Sequence, residues 1–220
     1  MEYIELHSNL QTRFPGLAAQ VIRFKDITVK REESELENYK LDVAKATQEK
    51  WELEKLRDDP EFRAYRDFFW RLGIDPTKNR PAAEALIRRV LSDRPLPKIN
   101  TWVDAYNLVS ITTAIPIASF DSNLLVGSLL MREARAGEEF LGIGMDKPVT
   151  LSGGEAVIQD DKRLVAIYPY RDADHSKVTM KTKNVLMLLC GAPGITNEKL
   201  QASALEAASV LPRYCGGTVE

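Results

Sequence analysis

Polar side chains recur inside an otherwise apolar segment, residues 96–121, and they are the first candidates for contact with a ligand. Val103 and Tyr106 follow the spacing of a buried helical face, and Asn107 falls on the neighbouring stripe. A side-chain amide both donates and accepts hydrogen bonds, so Asn107 must either satisfy buried backbone groups or bind a ligand. The sequence leaves both alternatives open. Pro116 is expected to end this helix.

A second polar segment, residues 170–177, places opposite charges side by side. Arg171 could bind a phosphate or an ester carbonyl, and Asp172 could orient that arginine or bind an α-amino group. The alternative is a surface turn in which Arg171 and Asp172 pair with each other. His175 is either a general base or an exposed turn residue. No Ser-His-Asp order or pair of catalytic carboxylates indicates another class of hydrolase.

Basic residues concentrate in two segments, although the net charge of the chain is only −2. Residues 61–100 contain nine Lys and Arg against five acidic residues, and residues 162–183 contain six against two. Each segment is either a solvated face or part of a phosphate-binding surface. In the first segment Arg80, Arg88 and Arg89 are expected to point outward from the helix that follows Asn79-Arg80-Pro81. The candidate RNA-binding residues are Arg80, Arg88, Arg89, Lys177, Lys181 and Lys183.

Helical and strand patterns alternate along the chain and indicate the fold class. Helices are predicted over 32–57, from Asp59-Pro60 to Gly73, after Asn79-Arg80-Pro81, and from Thr196 or Asn197 to a stop at Pro212. Strands are predicted within 17–29 and 185–190, with hairpins over 128–143 and 156–170. We therefore predict an α+β fold in which a mixed, mostly antiparallel sheet is flanked by helices. The charged helix is either a packing helix or a dimerisation face.

Composition is that of a soluble globular protein, with 44% hydrophobic and 28% charged residues among 220. No apolar run approaches the length of a membrane span, and the first residues lack the pattern of a signal peptide. A cytoplasmic protein is expected. Cys190 and Cys215 lack the spacing of metal ligands, and the two histidines lie far apart. Neither a metal nor a cofactor is expected.

These motifs resemble a known family. Val103-Asp104-Ala105-Tyr106-Asn107 followed by Ile117-Ala118-Ser119-Phe120-Asp121 resembles the Val-Asp-x-x-Asn and Ala-Phe-Asp motifs of the B3/B4 editing module in the phenylalanyl-tRNA synthetase beta chain. Residues 131–138 are similar to that module's Arg-Arg-Ala-x-x-Gly-Glu strand and turn, and residues 176–179 with Thr182 are similar to its last turn. The resemblance covers residues 60–212. Asn79-Arg80-Pro81 and Tyr170-Arg171-Asp172 look more like stand-alone relatives of the module.

The resemblance implies an editing pocket with altered selectivity. It places Asn107 in the pocket and Tyr106 where the synthetase has a threonine. Ala118 and Leu188 replace the synthetase's pocket histidine and the glutamate that binds a tyrosine hydroxyl. A hydroxyl buried without a partner costs about 1–3 kcal/mol. The pocket is therefore expected to favour an aliphatic or otherwise non-hydroxylated side chain, and Arg171 is expected to share it with Asn107.

Two functions follow as alternatives. The first is an editing-type protein that hydrolyses a mischarged aminoacyl-tRNA in trans, with Asn107, Arg171 and Asp172 as catalytic residues. Its substrate-binding residues would be Tyr106, Ala118, Leu188 and His175. The second is a non-catalytic module that binds tRNA or an amino acid.

The same resemblance suggests a division of the chain. Residues 1–57 are expected to be a family-specific extension packed on the core, and residues 58–220 the B3/B4-like domain. A chain of 220 residues filled by this module leaves no room for an amino-acid activation domain, so a complete synthetase is not expected. The expected partner is tRNA or aminoacyl-tRNA, bound by a monomer or a homodimer.

Overall fold

The computed structural model describes residues 2–220. Within that range the α-helices are α1 (Ser8–Arg13), α2 (Ser34–Lys50), α3 (Pro60–Arg71), α4 (Ala82–Leu91), α5 (Thr101–Thr113) and α6 (Asn197–Cys215). The strands are β1 (Glu2–Tyr3), β2 (Glu5–Leu6), β3 (Ala19–Lys25), β4 (Ile117–Asp121), β5 (Leu130–Glu133), β6 (Glu139–Phe140), β7 (Val149–Thr150), β8 (Ala156–Gln159), β9 (Leu164–Ile167), β10 (Arg171–Asp172), β11 (Val185–Cys190) and β12 (Thr218–Val219). None of the described helices is both long and apolar enough to cross a bilayer.

One antiparallel sheet, sheet 1, forms the centre of the core. Its strand order is β1-β3-β11-β4, and β12 also pairs with β3. β11 is buried along its full length, because β3 and β4 pair with its two edges and helices cover it. α6 packs beside α5 on this sheet. The central buried strand predicted at 185–190 is therefore confirmed.

A second sheet, sheet 2, has the order β10-β9-β8-β5-β2. Its pairs are antiparallel except for β2 with β5, which is parallel. The predicted hairpin over 156–170 is confirmed by the pairing of β8 with β9. The predicted hairpin over 128–143 is wrong, because β5 pairs with β8 while β6 turns away and pairs with β7. Together the two sheets and their helices confirm the predicted α+β class.

The helix α5 is fixed by caps at both ends. Asn100 accepts a hydrogen bond from the Val103 amide (3.0 Å), and Ala114 adopts a left-handed conformation with φ 59° after the last turn. The fully buried Trp102 packs edge-on against Phe24 and donates to the Ser119 hydroxyl at 2.8 Å. α5 is therefore anchored to both β3 and β4, which sets the height of its polar residues above sheet 1.

Two helix boundaries differ from the predictions. α2 ends at Lys50 rather than near residue 57, since Trp51 leaves the helix and packs on Phe62 at a centroid distance of 5.2 Å. Pro212 does not stop α6, which continues to Cys215. A proline removes one helical hydrogen bond, but burial of Leu211 and Cys215 holds the last turn in place.

The N-terminal segment contributes strands to both sheets. β3 lies beside β11 in sheet 1, and β2 lies beside β5 in sheet 2. A boundary between residues 57 and 58 stays a prediction. The same segment is also joined to α5, because Lys40 of α2 donates to the buried Asp104 at 2.8 Å.

Asp104→Ala should destabilise the protein strongly. The Asp104 carboxylate also accepts from the Ile99 amide at 2.9 Å, so its removal leaves that backbone N–H without its acceptor and leaves the largely buried Lys40 ammonium with Glu37 as its remaining carboxylate partner. We expect a loss of about 2–4 kcal/mol in the free energy of unfolding, measured by urea denaturation. The control is Asp42→Ala, which removes an exposed carboxylate from α2 and should change stability by less than about 0.5 kcal/mol. Equal effects of the two substitutions would contradict the role of Asp104.

Candidate functional site

The free edges of the two sheets meet around a cavity of about 190 Å³. β4 is an edge strand of sheet 1, β10 is an edge strand of sheet 2, and the two strands lie in contact. α5 closes the cavity from above through Tyr106 and Asn107. The predicted site residues that line this cavity are Tyr106, Asn107, Ala118, Arg171 and Asp172.

Asn107 lies at the cavity wall with an uncommitted amide. It is half-buried, and its side chain makes no hydrogen bond to any other residue within 2–220. Asn107 therefore does not satisfy buried backbone groups, which was the first of the two alternatives. A half-buried amide facing a cavity offers two donors and an oxygen acceptor to a ligand.

Arg171 and Asp172 are neighbours in β10, and successive side chains of a strand point to opposite faces. The Arg171 guanidinium donates to the Ile143 carbonyl at 3.1 Å and lies over the Tyr170 ring at 5.2 Å. Its aliphatic part packs against Gly142, where an added Cβ would lie only 2.4 Å from Cδ of Arg171. No ion pair forms between Arg171 and Asp172 within the described residues, so the alternative of an internal Arg-Asp pair is wrong. Arg171 and Asp172 both line the cavity, but they do not interact with each other.

Asp172 is an unusual carboxyl group. Burial raises its pKa to about 7, against a smaller lowering by the Ser119 backbone amide. The raised pKa fits its surroundings, since Tyr106 of α5 and Cys190 of β11 line the same cavity and carry no positive charge. Near neutral pH the group changes between acid and carboxylate, which is the range in which a site residue can respond to a ligand.

Tyr106 and Cys190 keep their protons in this environment. Burial, followed by the charge of Asp172, raises the pKa of the Tyr106 hydroxyl well above its usual value. The same two causes raise the pKa of the Cys190 thiol. A thiol that stays protonated is a poor nucleophile. Cys190 therefore acts as a wall of the cavity, with its carbonyl held by the Tyr65 hydroxyl at 2.7 Å.

Two predicted substrate-binding residues lie outside the cavity lining. Leu188 is fully buried between β3 and β4, where it pairs with Val21 and Ala118. Strand alternation puts it on the face of Cys190, but two residues deeper in the core. His175 lies in a short 3₁₀ turn (Asp174–Ser176), with Nε2 2.9 Å from the Leu164 carbonyl. That contact holds the ring against sheet 2, away from the cavity.

Several motif residues have structural roles instead of lining the cavity. The Thr182 hydroxyl donates to Asp121 at 2.7 Å and ties residues 179–182 to the end of β4. Arg132 and Glu138 form a two-pronged ion pair, with N–O distances of 2.6 and 2.9 Å. These pairs fix loops and strand ends. Most of the family motif therefore builds the frame that holds Asn107.

The six predicted RNA-binding residues have different environments. Arg80, Lys181 and Lys183 are exposed, Arg89 donates to the Pro95 carbonyl at 3.0 Å, and Lys177 pairs with Asp174 at 2.6 Å.

The outward orientation predicted for Arg88 is wrong. Its Nε donates at 2.7 Å to Glu84, which is fully buried and also accepts from Arg66. A buried carboxylate needs both guanidinium partners.

Several lining residues were missed by the sequence analysis. Cys190, Tyr168 and Tyr170 line the cavity, and Ala82 approaches it from the start of α4. The Tyr170 hydroxyl donates to Asn79 at 3.3 Å, which links the loop before α4 to the cavity. A sequence signal existed for Tyr168 and Tyr170, because they immediately precede Arg171 and Asp172. No local signal existed for Cys190 or Ala82, which only sheet pairing and helix docking bring near.

Asp172→Asn should stabilise the protein in a pH-dependent way. Because the folded pKa of Asp172 is raised above the value of 3.8 for an ordinary Asp, the native state keeps a proton that the unfolded chain releases. Wild-type stability therefore falls as pH rises from about 4 to about 7, and the variant escapes this loss. Between pH 5 and pH 8 the stability of the variant relative to wild type should increase by about 1–3 kcal/mol in urea unfolding. Asp161→Asn removes an exposed carboxylate outside the cavity, so its effect should vary little with pH. If the stability difference between Asp172→Asn and the wild type did not change with pH, the Asp172 carboxyl group would be solvated in the folded protein.

Comparison with known proteins identifies regions of similar sequence. The chain is 27% identical over 107 residues to the phenylalanine–tRNA ligase beta subunit of Mycoplasma genitalium, covering 49% of this chain and 13% of that protein. It is 32% identical over 117 residues to the same subunit of Psychrobacter arcticus, covering 52% and 14%. The similarity to the Nocardia farcinica subunit is 29% over 171 residues, covering 67% and 20%. The chain thus matches a minor part of each of these relatives.

A solved structure shares the fold. The crystal structure of an N-terminal fragment of the phenylalanyl-tRNA synthetase beta subunit from Pyrococcus horikoshii superimposes with a TM-score of 0.51 at 13% identity. The superposition covers 98% of this chain and 49% of the fragment. A sequence profile described as the B3/4 domain matches residues 64–216. Because this match covers more than half of the chain, the protein belongs to the B3/4 domain family.

Proposed function

We propose that this domain binds the aminoacyl end of a tRNA and hydrolyses the ester that joins a mischarged amino acid to it. The observation that carries the proposal is the single cavity that joins Asn107, Asp172 and the border residue Arg171. Similarity to regions of phenylalanine–tRNA ligase beta subunits supports a substrate related to tRNA. Action in trans, a monomeric or homodimeric state and a cytoplasmic location remain predictions.

The reaction needs positioning more than it needs a nucleophilic side chain. Water attacks the ester carbonyl carbon, the bond from that carbon to the ribose oxygen breaks, and the ribose oxygen takes up a proton that the water loses. The Asn107 amide can donate to the carbonyl oxygen as it becomes negative, and Arg171 retains donors beyond its bond to Ile143. Preorganised donors of this kind lower the barrier by stabilising developing charge.

The cavity suits a compact side chain. Its volume of about 190 Å³ is below the roughly 300–1,000 Å³ typical of sites for drug-sized ligands. Ala118 contributes a methyl group where the synthetase module has a histidine, and Ile158 and Ile167 add further apolar surface. An aliphatic amino acid fits these walls better than one with a terminal hydroxyl, which would lack a partner.

The rest of the tRNA would follow exposed basic residues near the cavity. Arg80 immediately follows Asn79, which accepts from Tyr170 at the cavity. Lys177 pairs with Phe120 across the edge of β4, and Lys181 and Lys183 follow in the same loop. From Ala118 to Phe120 a strand rises about 7 Å. The backbone of Lys177, at the start of this loop, therefore lies close to the cavity.

The alternative function is binding without hydrolysis. Ala118 favours it, since the wall that carries a histidine in the synthetase module offers only a methyl group to an attacking water. A binder would show saturable, stoichiometric association with aminoacyl-tRNA and no faster loss of the ester than in buffer.

Asn107→Ala should abolish deacylation without unfolding the protein. The wild-type protein is incubated with a panel of radiolabelled aminoacyl-tRNAs, and the ester half-life is compared with that in buffer. On the most rapidly hydrolysed ester the variant should lose activity by a factor of at least about 100, the usual effect of removing one oxyanion donor. Its melting temperature should stay within a few degrees, because the amide holds no residue of the fold.

Asn38→Ala is the matched control, since Asn38 is exposed on α2 and lies outside the cavity. It should retain wild-type activity. Survival of every ester in the panel would reject hydrolysis, and full activity of Asn107→Ala would remove Asn107 from the mechanism.

The affinity for tRNA should fall steeply with salt, and Lys181→Ala should reduce the slope of log K against log salt by roughly one unit. The exposed Lys181 ammonium has no acidic partner within residues 2–220, so it is available to a phosphate. Filter binding at KCl concentrations from about 50 to about 300 mM measures this slope. Lys45→Ala on α2 is the control and should leave the slope unchanged. Arg88→Ala is unsuitable, because it would leave the buried Glu84 with one partner fewer. Binding that does not depend on salt would indicate a small ligand instead.

A further inference from the structure

The Asp172 carboxyl group faces the cavity without a cationic partner. Tyr106 approaches from α5, Cys190 from β11, and the Ser119 backbone from β4. None of these groups carries a positive charge. Arg171, the adjacent cation in sequence, is turned toward Ile143 and Tyr170. Within residues 2–220 no lysine or arginine lies within ion-pair distance of Asp172.

A carboxylate in such surroundings is costly unless something charged joins it. Buried Asp residues are normally paired or bound to a metal. Two of the buried acids follow that rule, because Asp104 pairs with Lys40 and Glu84 pairs with two arginines. The buried Asp121 and Asp160 form no ion pair, but each accepts at least two hydrogen bonds from neighbouring hydroxyl or backbone N–H groups. No group of three metal-binding side chains occurs among the described residues. Asp172 therefore differs from them in having an open position toward the cavity.

We infer that Asp172 binds the α-ammonium group of the aminoacyl moiety, so that the site accepts esters with a free α-amino group and rejects those in which this nitrogen is acylated or replaced by oxygen. This inference rests on the proposed function for its substrate. It specifies the free α-amino group of that substrate, a requirement that does not depend on the amino-acid side chain. Peptidyl-tRNA and other N-acylated esters are then excluded from the site.

The two walls of the cavity match the two polar groups of an amino-acid ester. The ammonium and the carbonyl sit on neighbouring atoms, Cα and the carbonyl carbon. Asp172 on β10 offers an acceptor for the first, and Asn107 on α5 offers a donor for the second. The aromatic ring of Tyr106 also lines the cavity and can face a cation. One ligand held at both ends in this way is oriented for attack by water.

Binding of small, non-hydrolysable ligands tests the inference separately from catalysis. L-Leucinamide carries an α-ammonium and an aliphatic side chain. Its neutral analogue 2-hydroxy-4-methylpentanamide has nearly the same shape, and N-acetyl-L-leucinamide carries a blocked nitrogen. Isothermal titration calorimetry at pH 7.5 and about room temperature measures the affinity of the wild-type protein for each of the three ligands. We expect both neutral ligands to bind at least about tenfold more weakly than leucinamide, the usual contribution of one charge-assisted hydrogen bond.

The variant Asp172→Asn should bind leucinamide and its hydroxy analogue within about twofold of each other, because the amide has no charge to distinguish them. Asp161→Asn removes the same charge from an exposed position outside the cavity and should keep the wild-type preference. Circular dichroism of each variant checks that the fold is intact. The wild-type comparison alone already decides the question if a variant fails to fold.

The possible outcomes separate the two proposals. A preference for leucinamide that Asp172→Asn abolishes supports the inference, whether or not any ester is hydrolysed. Equal binding of the three ligands, or binding of none, overturns it. Where the panel of aminoacyl-tRNAs yields a hydrolysed ester, its N-acetyl derivative should survive at least about tenfold longer. Hydrolysis of both at the same rate leaves the proposed function in place and removes the role of Asp172.

Discussion

The burial of β11 between two partner strands is the constraint on which the rest of the structure depends. All six residues of this strand are buried, and every residue pairs with β3 while five pair with β4. A strand with apolar side chains on both faces is stable only when helices or another sheet cover both faces. α5 and α6, which pack beside each other, cover one face of sheet 1. On the other face, Cys190 and Ala118 lie across the cavity from Ile158 and Ala166 of sheet 2. The position of Cys190 at the end of the strand, and of β4 beside it, follows from this arrangement.

The candidate site forms where this buried frame ends. β4 pairs with β11 on one side, whereas its other side forms only a single bridge, from Phe120 to Lys177, and lies against β10 without a full strand pair. Such an edge leaves room for a cavity and exposes backbone groups that would otherwise be satisfied within a sheet. The Ser119 amide, near Asp172, is one of them. The site therefore uses the incomplete joining of two sheets, and its polar groups come from three different elements.

The charged residues divide into those that hold the fold and those that remain available. Asp104, Glu84 and Glu138 are paired with cations at hydrogen-bond distance, and each pair joins separate segments. Asp172 is half-buried at the cavity without such a partner, and its removal from water raises its pKa to about 7. Because a polar group left unpaired away from water costs stability, the position of Asp172 in the cavity agrees with the ligand-binding role that we propose for it. The same reasoning applies to the Asn107 amide, although an unpaired neutral amide costs less free energy than an unpaired carboxylate.

The sequence by itself determined the fold class, the strand 185–190, the N-terminal caps of α3 and α6, and membership in the B3/4 domain family, because periodicity, capping residues and motif order are local signals. It also brought attention to Asn107, Arg171 and Asp172. Tertiary structure alone decided which of these face one another. The partner of β5 depended on distant strands, the orientation of Arg88 depended on buried Glu84, and the exclusion of Leu188 from the cavity depended on its depth in the core. These features follow from contacts between residues far apart in the chain, which local sequence patterns do not specify.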